Sequence, residues 1–454
     1  MTDKSLPIKK KVLALGLDGV PRTLLDDFLA EDILPNFKKI LSSGYALHQM
    51  DASIPEVSST SWTSFYTGVN PEEHGIYGFM ELRPGTYDLA FPNMTNVTAP
   101  SLWNIVANNT GAMSSTLSRK YEGKFSTPLR SIVMNIPQTY PAVPINGVLS
   151  AGFVCPDLKK GTYPGSAYDY LVSMGYMGDV DSAKASEDAD AFFREIFTSL
   201  EKRLEAYLHF MEDGDWDIFI GVVTETDRLH HFFFDAARNP SHQYNATFRK
   251  IYKAIDEVIG ALYGRFMEMT GGEGFFLTMS DHGFTEIKSE VYLNRWLEKE
   301  GFLNLDEGRQ YFDKIDSGTR AFALDPSRLY LNRQGRYPRG AVAPAEEAAL
   351  LGDLKIALAG LKDEGGNPVI KAVYGRDELY TGPSSEKGPD LVCLSHDGFD
   401  LKGSLRTDAV FGRSHFTGMH TRHDAHSILP EGVFSEGRLH IESLAGIILN
   451  NITA

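Results

Sequence analysis

Residues 11–20 read KVLALGLDGV, an apolar run that ends in Asp18 and Gly19. Apolar residues without polar alternation predict a strand that is buried on both faces, as in parallel sheets covered by helices. A helical pattern follows at Pro35–Ser43, where the proline suits the first helical position and Gly44 suits the position after the last turn. A strand followed by a helix is the repeating unit of α/β proteins.

The same alternation continues along the chain. Further buried strands are predicted at Ser131–Ile136, Asp217–Val223, Phe275–Ser280 and Asp390–Ser395. The clearest helical patterns between them are Ala189–Met211 and Asn245–Met269. We therefore predict an α/β fold, a three-layer sandwich with a largely parallel central sheet. In the predicted domain organisation, the core comprises residues 1–152, 214–303 and 383–454, with a possible cap insertion at 153–213 and a possible second insertion at 304–382.

The charge balance of the chain excludes some partners. The 454 residues include 44 Lys and Arg against 60 Asp and Glu, a formal net charge of -16. This argues against a nucleic acid polymer, because gripping its phosphates requires a basic surface. No apolar run approaches the roughly 18 residues of a membrane span, and Val12–Leu17 is too short for the apolar core of a signal peptide. With two distant cysteines, Cys155 and Cys393, we predict a cytoplasmic protein, and the sequence leaves its oligomeric state open.

Acidic and imidazole side chains follow three of the predicted strands. Asp18 ends the first strand, and Thr224–Asp227 follow the strand at Asp217–Val223. Asp281 and His282 directly follow the strand that begins at Phe275. Ligands of parallel sheets bind at the carboxyl ends of the strands. We therefore predict that these side chains belong to one site.

Histidines could complete such a site. If a helix begins near residue 225, Asp227 and His231 share one of its faces, while His230, three residues from Asp227, stays open as an alternative. Residues 414–426 contain four of the 13 histidines of the chain, namely His415, His420, His423 and His426. Imidazole is a common nitrogen ligand of zinc. We expect one of these four to be a ligand.

The hydroxyl-rich stretch at residues 53–68, SIPEVSSTSWTSFYTG, allows two interpretations. Ser and Thr are preferred helix N-caps. A hydroxyl at the start of a helix can equally act as a nucleophile on a phosphoryl anion, which the helix N-terminus favours. Together, the strand-end acids, a hydroxyl and the histidines can fill two metal sites with oxygen and nitrogen ligands. That set is typical of a two-metal phosphoryl-transfer centre.

The order of these motifs resembles the alkaline phosphatase superfamily. Within it, the chain is most similar to the type I phosphodiesterase/nucleotide pyrophosphatase branch and its bacterial relatives described as predicted phosphohydrolases or phosphomutases. The motifs run through nearly the whole chain and are GLDG (16–19), TGVNPEEHGI (67–76), NIPQTYP (135–141), TETD (224–227), SDHG (280–283), GPDL (388–391) and the stretch around His420. The resemblance implies an alkaline phosphatase-like core with an inserted cap.

The resemblance also implies roles for the matching residues. It implies two divalent metal ions, with zinc as the expected ion and manganese as the alternative. Their ligands would be Asp227, His231 and His420 for one ion, and Asp18, Asp281 and His282 for the other. Ser58 would be the catalytic nucleophile, would contact the second ion and would form a phosphoseryl intermediate. His74, within the second motif, would be structural.

Two departures from that branch concern the nucleophile and the substrate. The branch has a Thr nucleophile and an Asn shortly after it, whereas this chain has Ser58 and Ser61. A hydroxyl does not match the reach of a carboxamide, which counts against a pyrophosphatase substrate. Ser59 and Thr60 adjoin Ser58, so the position of the nucleophile stays open by one residue.

The predicted function is hydrolysis of a small-molecule phosphoric ester by a metal-dependent phosphodiesterase or phosphatase. A phosphomutase or phosphotransferase, in which the phosphoseryl group passes to a second alcohol, is the enzymatic alternative. A non-catalytic metal-binding protein with the same fold is the alternative from another class. The sequence assigns no substrate-binding residues, and the basic side chains that could clamp a phosphate are Arg22, Lys120, Arg228, Arg413 and Arg422.

Overall fold

The computed structural model describes residues 10–452. Residues 1–9 and 453–454, at the two ends of the predicted core, lie outside the described part. The strands, in chain order, are β1 (Val12–Leu17), β2 (Tyr45–Asp51), β3 (Glu81–Leu82), β4 (Leu89–Ala90), β5 (Ser131–Ile136), β6 (Gly147–Ala151), β7 (Thr162–Tyr163), β8 (Ile218–Val223), β9 (Phe275–Met279), β10 (Gly283–Glu286), β11 (Ser289–Tyr292), β12 (Ala321–Leu324), β13 (Arg328–Leu331), β14 (Ile370–Gly375), β15 (Leu391–Ser395), β16 (Phe399–Lys402), β17 (Phe411–Gly412), β18 (Gly418–Thr421), β19 (Ala425–Pro430) and β20 (Leu439–His440).

Helices separate most of these strands. In chain order, the α-helices are α1 (Arg22–Ala30), α2 (Pro35–Leu41), α3 (Ser58–Thr67), α4 (Pro71–His74), α5 (Leu102–Val106), α6 (Thr116–Tyr121), α7 (Gly165–Ser173), α8 (Lys184–Glu187), α9 (Ala189–Glu212), α10 (Glu225–Phe233), α11 (Asn245–Thr270), α12 (Leu293–Lys299), α13 (Glu347–Ala359), α14 (Arg376–Leu379) and α15 (Ser443–Ile452). The helices predicted at Pro35–Ser43, Ala189–Met211 and Asn245–Met269 are confirmed, with ends that differ by one or two residues.

The central sheet is built around β1. Its strand order is β20–β2–β19–β9–β1–β8–β5–β6–β7. From β9 to β6 the strands run parallel, whereas β19 pairs antiparallel with both β2 and β9, and β7 pairs antiparallel with β6. The prediction of a largely parallel sheet is confirmed. The carboxyl ends of β1, β8 and β9 therefore lie side by side.

Helices cover both faces of this sheet. Successive side chains of a strand point to opposite faces, so a strand can pack in two apolar clusters. Leu13, Leu15 and Leu17 of β1 pack in one apolar cluster with α1, α2, α7, α9, α10 and α11. Val12 and Ala14 pack in a second cluster with α3, α5, α6 and α15. The predicted three-layer α/β sandwich is confirmed.

A smaller antiparallel sheet, with strand order β12–β13–β15–β14, lies apart from the central one. It shares an apolar cluster with α12 and α13. The strand predicted at Asp390–Ser395 is β15, and it belongs to this sheet, so placing it in the core was wrong. A strand that is buried on both faces has the same apolar pattern whichever sheet it enters, and β15 pairs antiparallel with β13 and β14.

The two predicted insertions differ in their place in the fold. Residues 304–382 supply β12, β13, α13 and β14, and thus most of the smaller sheet. Residues 153–213 supply α7 and α9, whose apolar side chains pack in the same cluster as the central strands. These helices form part of an outer layer of the sandwich instead of a cap, because their apolar faces are buried against the sheet.

Among the described residues, no helix combines the length and the apolar character needed to cross a membrane.

Candidate metal centre

Ser58 is the first residue of α3 and points its hydroxyl at acidic and imidazole groups. Its Oγ lies 3.1 Å from Nε2 of His282 and 3.5 Å from Oδ1 of Asp18. The N-cap position belongs to the preceding residue, Val57, which is extended and whose side chain makes no capping hydrogen bond. Ser58 is already the first helical residue, so its hydroxyl is not a helix cap.

The neighbouring hydroxyls of α3 are placed differently. Ser61 Oγ is fully buried and lies 2.8 Å from Ser53 Oγ. Ser59 Oγ and Thr60 Oγ1 are buried without a hydrogen-bond partner among the described residues. Of these four hydroxyls, Ser58 is the one that contacts strand-end residues of the central sheet.

The ends of β1 and β9 bring Asp18, Asp281 and His282 together, because these strands are adjacent and parallel. His282 Nε2 lies 3.7 Å from Asp18 Oδ1 and 3.3 Å from Asp281 Oδ2. The backbone N–H of Gly19 donates to Asp281 Oδ1 over 3.0 Å. The other oxygen of Asp281, Oδ2, is buried and accepts no hydrogen bond from the residues that the structure describes.

Asp227, His231 and His420 form a second group beside the first. Nε2 of His231 and Nε2 of His420 each lie 3.4 Å from Asp227 Oδ1, and the two nitrogens are 3.1 Å apart. His420 reaches this position because β18 pairs antiparallel with β10, the strand that follows His282. Residues that are distant in the sequence thus converge at one edge of the sheet.

Asp227 belongs to both groups. Ligand atoms of Asp227, His231 and His420 lie within 4.8 Å of one another, and so do those of Asp18, Asp227 and His282. The grouping predicted from the sequence differs slightly, because it paired Asp281 with Asp18 and His282 and assigned Asp227 to one ion. The carboxylate of Asp227 lies between the two groups, whereas Asp281 contacts the group of Asp18, Asp227 and His282 through His282.

His282 and His420 point Nε2 into the site, and a hydrogen bond from Nδ1 fixes the orientation of each ring. Nδ1 of His420 lies 3.1 Å from the Glu56 carbonyl oxygen, and Nδ1 of His282 lies 3.1 Å from the Gly283 carbonyl oxygen. A carbonyl only accepts, so Nδ1 carries the hydrogen in each ring and Nε2 presents a lone pair to the group. This arrangement is typical of metal-ligating histidine.

The alternative histidines are engaged elsewhere. His230 uses both nitrogens, with Nδ1 3.0 Å from the Gly19 carbonyl and Nε2 2.7 Å from the Tyr252 hydroxyl. In the histidine-rich stretch, His423 pairs with Asp51, His426 bonds the Val20 carbonyl, and His415 stacks on Phe232. The open choice between His230 and His231 therefore falls on His231, and of the four late histidines His420 joins the site.

The electrostatics of the two groups fit bound cations. Burial and the nearby Asp281 and Asp227 raise the pKa of Asp18, and burial raises the pKa of Asp281 to about 6. Burial lowers the pKa of His231 to about 3, so its imidazole is neutral at pH 7. Asp227 Oδ1 and Asp281 Oδ2 are buried without a hydrogen-bond partner within residues 10–452. Buried carboxylates that lack partners are costly, and carboxylate oxygens with neutral imidazoles are the ligand set of zinc and related ions.

The chain is similar to proteins of one known family. A family model described as type I phosphodiesterase/nucleotide pyrophosphatase matches residues 12–424. The chain belongs to this family. The prediction of a hydrolase that acts on phosphoric ester bonds is confirmed at this level, and so is the resemblance inferred from the motifs. No curated protein sequence matches the chain.

Solved structures confirm the alkaline phosphatase-like fold. Phosphonoacetate hydrolase from Sinorhizobium meliloti 1021, solved with phosphonoacetate, is 15% identical with a TM-score of 0.63, covering 98% of this chain and 96% of the hydrolase. Murine ectonucleotide pyrophosphatase/phosphodiesterase 5 is 14% identical with a TM-score of 0.53, covering 98% and 95% of the two chains. Alkaline phosphatase PafA is 13% identical with a TM-score of 0.56, covering 99% and 96%.

Trp62 contacts the candidate metal centre, and the sequence analysis did not predict this. Trp62 lies one helical turn after Ser58, so the two share a face of α3, and the four-residue spacing could have indicated this. Its Nε1–H donates to Asp18 Oδ2 over 3.2 Å. The indole packs against Gly16, where an added Cβ would lie 2.3 Å from Trp62 Cη2. The glycine of the GLDG motif thus makes room for the ring that orients Asp18.

Gly16→Ala is expected to destabilise the folded protein by about 1–3 kcal/mol, because the new methyl group overpacks a buried ring. It is also expected to lower phosphoester hydrolysis, because Trp62 must move away from Asp18. Denaturant unfolding and steady-state kinetics measure the two effects. Gly264→Ala is the matched control, since a Cβ there meets nothing within 4 Å in the middle of α11. Equal stability of both variants would contradict the packing argument.

A buried ion pair fixes the start of α10, which carries Asp227. Glu225, the first residue of α10, lies 2.7 Å from Arg203 of α9, and both side chains are buried. Arg203 also donates to the Tyr176 hydroxyl over 2.9 Å. Removing one partner of such a pair leaves a buried charge and is costly. Sequence reasoning missed this pair because its two halves lie on different elements.

The remaining predictions concern His74 and the basic side chains. His74 is buried, with Nε2 3.0 Å from Ser64 Oγ and Nδ1 accepting from the Ile76 N–H, which fits the predicted structural role. Three of the candidate phosphate clamps have other neighbours, with Arg22 paired to Asp26, Lys120 over the Tyr121 ring and Arg422 3.9 Å from Asp51. Arg228 lies beside Asp227, and no contact among the described residues places Arg413 at the centre.

Proposed function

We propose that this protein hydrolyses phosphoric esters at the metal centre, with Ser58 as the nucleophile and two divalent cations as cofactors. One observation carries the proposal. The Ser58 hydroxyl faces Asp18 and His282 inside a group where, among residues 10–452, one buried oxygen each of Asp227 and Asp281 has no hydrogen-bond partner. A nucleophile beside a set of oxygen and nitrogen ligands for divalent cations is the arrangement used for phosphoryl transfer.

Six side chains would hold the two cations. We assign Asp227, His231 and His420 to one and Asp18, Asp281 and His282 to the other, with Asp227 close to both. Zinc is the expected ion and manganese the alternative, since the ligands are carboxylates and imidazoles. Bound divalent cations supply Lewis acidity, which lowers the pKa of a hydroxyl and offsets charge on phosphoryl oxygens.

The residues of the chain supply the rest of the chemistry. Ser58 Oγ loses its proton and attacks phosphorus, the bond from phosphorus to the departing oxygen breaks, that oxygen takes up a proton and leaves as the alcohol, and a phosphoserine forms. Water then attacks the same phosphorus, the bond from phosphorus to Ser58 Oγ breaks, one water proton returns to Oγ, and the phosphate product leaves. The first backbone N–H groups of α3, a ten-residue helix, favour an anion at this end.

A cavity beside the centre can accept the organic part of a small ester. It has a volume of about 240 Å³, and His231 and His420 form part of its wall together with Phe79, Met80 and Lys402. Ser61 is fully buried and its hydroxyl is bonded to Ser53, which supports the sequence-based argument against a pyrophosphatase substrate. A cytoplasmic location stays a prediction.

The test is hydrolysis of a nitrophenyl phosphomonoester and the matching diester by protein loaded with zinc or manganese. We expect turnover of at least one ester, and loss of turnover when a chelator removes the metal. Preference for the diester would identify a phosphodiesterase, and preference for the monoester a phosphatase. Transfer of the phosphoryl group to an added alcohol instead of water would identify a phosphotransferase. No turnover of either ester by protein with bound metal would contradict the proposal and favour a non-catalytic metal-binding protein.

A further inference from the structure

Arg228 lies beside the candidate metal centre, and some of its guanidinium N–H groups make no hydrogen bond to the described residues. It follows Asp227 on the first turn of α10, and its Nη1 lies 3.4 Å from Asp227 Oδ2. A guanidinium carries five N–H donors. Within the part of the chain that the structure describes, Nε and Nη2 bond to Asp179, and the long contact with Asp227 is the sole bond of Nη1. Donors of Nη1 and Nη2 therefore remain for a ligand.

Two residues hold this guanidinium in a defined orientation. Asp179 accepts from Nη2 over 2.7 Å and from Nε over 3.2 Å, a forked pair. The plane of Phe153 lies under Arg228, with Cζ 4.1 Å from the ring centroid. The Phe153 ring in turn packs on Phe79, 5.5 Å between centroids, and Phe79 lines the cavity beside His231. Arg228 is thus supported on two sides between Asp227 and the wall of that cavity.

Other donors have carboxylate or hydroxyl partners of their own. Ser61, at the position where related enzymes carry an Asn, is fully buried and bonded to Ser53. Arg22 and Arg422 pair with Asp26 and Asp51, and Lys402 of the cavity wall pairs with Asp400. A planar guanidinium that is already held in place loses little freedom on binding an anion, and it matches phosphate oxygens in geometry and charge.

We propose that Arg228 contacts a non-bridging oxygen of the phosphoryl group, and that Asp179 and Phe153 are its positioning residues. This inference rests on the proposed function above. It gives the segment 153–213 a role at the site, because both positioning residues come from it. The ligand is the phosphoryl group itself, so inorganic phosphate is a sufficient probe.

The test compares Arg228→Ala, Arg228→Lys and Asp179→Asn in metal-loaded protein. Phosphate binding is measured by titration calorimetry, metal content by elemental analysis, and kcat and KM with the preferred nitrophenyl ester. We expect Arg228→Ala to weaken phosphate binding about 10- to 100-fold with the metal content unchanged, because a hydrogen bond to a charged group is lost. Arg228→Lys should recover part of the affinity through its charge, and Asp179→Asn should weaken binding less than Arg228→Ala.

Arg130→Ala is the matched control. Arg130 also pairs with two carboxylates, Asp213 and Asp215, but it precedes β5 at the opposite end of the strands, so wild-type phosphate binding is expected. Unchanged phosphate affinity in Arg228→Ala would overturn the inference, and so would loss of bound metal together with phosphate, since Arg228 would then act only through Asp227. Wild-type protein that hydrolyses neither ester would count against the proposed function. Active wild type with a fully phosphate-competent Arg228→Ala would count against this inference alone.

Discussion

Ser58→Ala is expected to reduce kcat for phosphoester hydrolysis by at least about 10³-fold, because removing a nucleophile removes the covalent step. The Ser58 hydroxyl is the one that faces Asp18 and His282, so no adjacent side chain can replace it without moving the start of α3. Steady-state kinetics with the preferred nitrophenyl ester measure the loss. In the wild type, intact-mass measurement during turnover is expected to detect the intermediate directly, as protein that carries one phosphoryl group.

Ser59→Ala is the control for this prediction. Its hydroxyl is buried without a partner among the described residues, and alanine keeps the helical backbone. We therefore expect wild-type kinetics and the same phosphorylated species. Hydrolysis that survives in Ser58→Ala but disappears in Ser59→Ala would place the nucleophile one residue later.

Asp227→Asn is expected to lower the affinity for both cations and to abolish most of the activity, by at least about 10²-fold. Asp227 Oδ1 lies 3.4 Å from each of His231 Nε2 and His420 Nε2 and 3.9 Å from His282 Nε2, so one carboxylate serves both groups. The amide keeps the shape but loses the charge that attracts a divalent cation. Elemental analysis gives the metal content, and kinetics give the activity.

Thermal unfolding provides a readout for Asp227 that does not depend on turnover. A cation that binds only the folded protein raises its midpoint of unfolding, so zinc should stabilise the wild type and have a much smaller effect on Asp227→Asn. Asp235→Asn, a partly exposed carboxyl just after α10, is the control and should respond like the wild type. An equal zinc response in Asp227→Asn would show that Asp227 holds no ion.

The predicted site residues lie together because they follow buried strands, and the apolar pattern of a buried strand is visible in the sequence. Asp18, Asp227 and Asp281 each follow an apolar run, and runs of that kind became adjacent parallel strands, β1, β8 and β9. The ends of neighbouring parallel strands are close by construction. His231 needed more, since its distinction from His230 depends on the rotation of α10 about its axis. His420 and Ser58 did too, since they come from β18 and from the start of α3.

Other parts of the fold could not be predicted from local patterns. The apolar run of β15 is the same as that of a central strand, and only its pairing with β13 and β14 reveals another sheet. Arg228 lies on α10, and the two residues that support it, Asp179 and Phe153, lie on two other segments of the chain. Such contacts depend on tertiary packing, which residue spacing along the chain does not encode.

The position of β18 and β19 has a consequence for how the protein is made. His420 on β18 completes one group of ligands, and β19 fills the place between β2 and β9 in the central sheet. Both strands are translated after most of the chain, so β2 can join the central sheet only once β19 is present to pair with both β2 and β9. Pairings between residues so far apart in the sequence form slowly. During synthesis, the group of Asp227, His231 and His420 therefore stays incomplete until β18 has been translated, whereas Asp18, Asp227 and His282 are all present earlier.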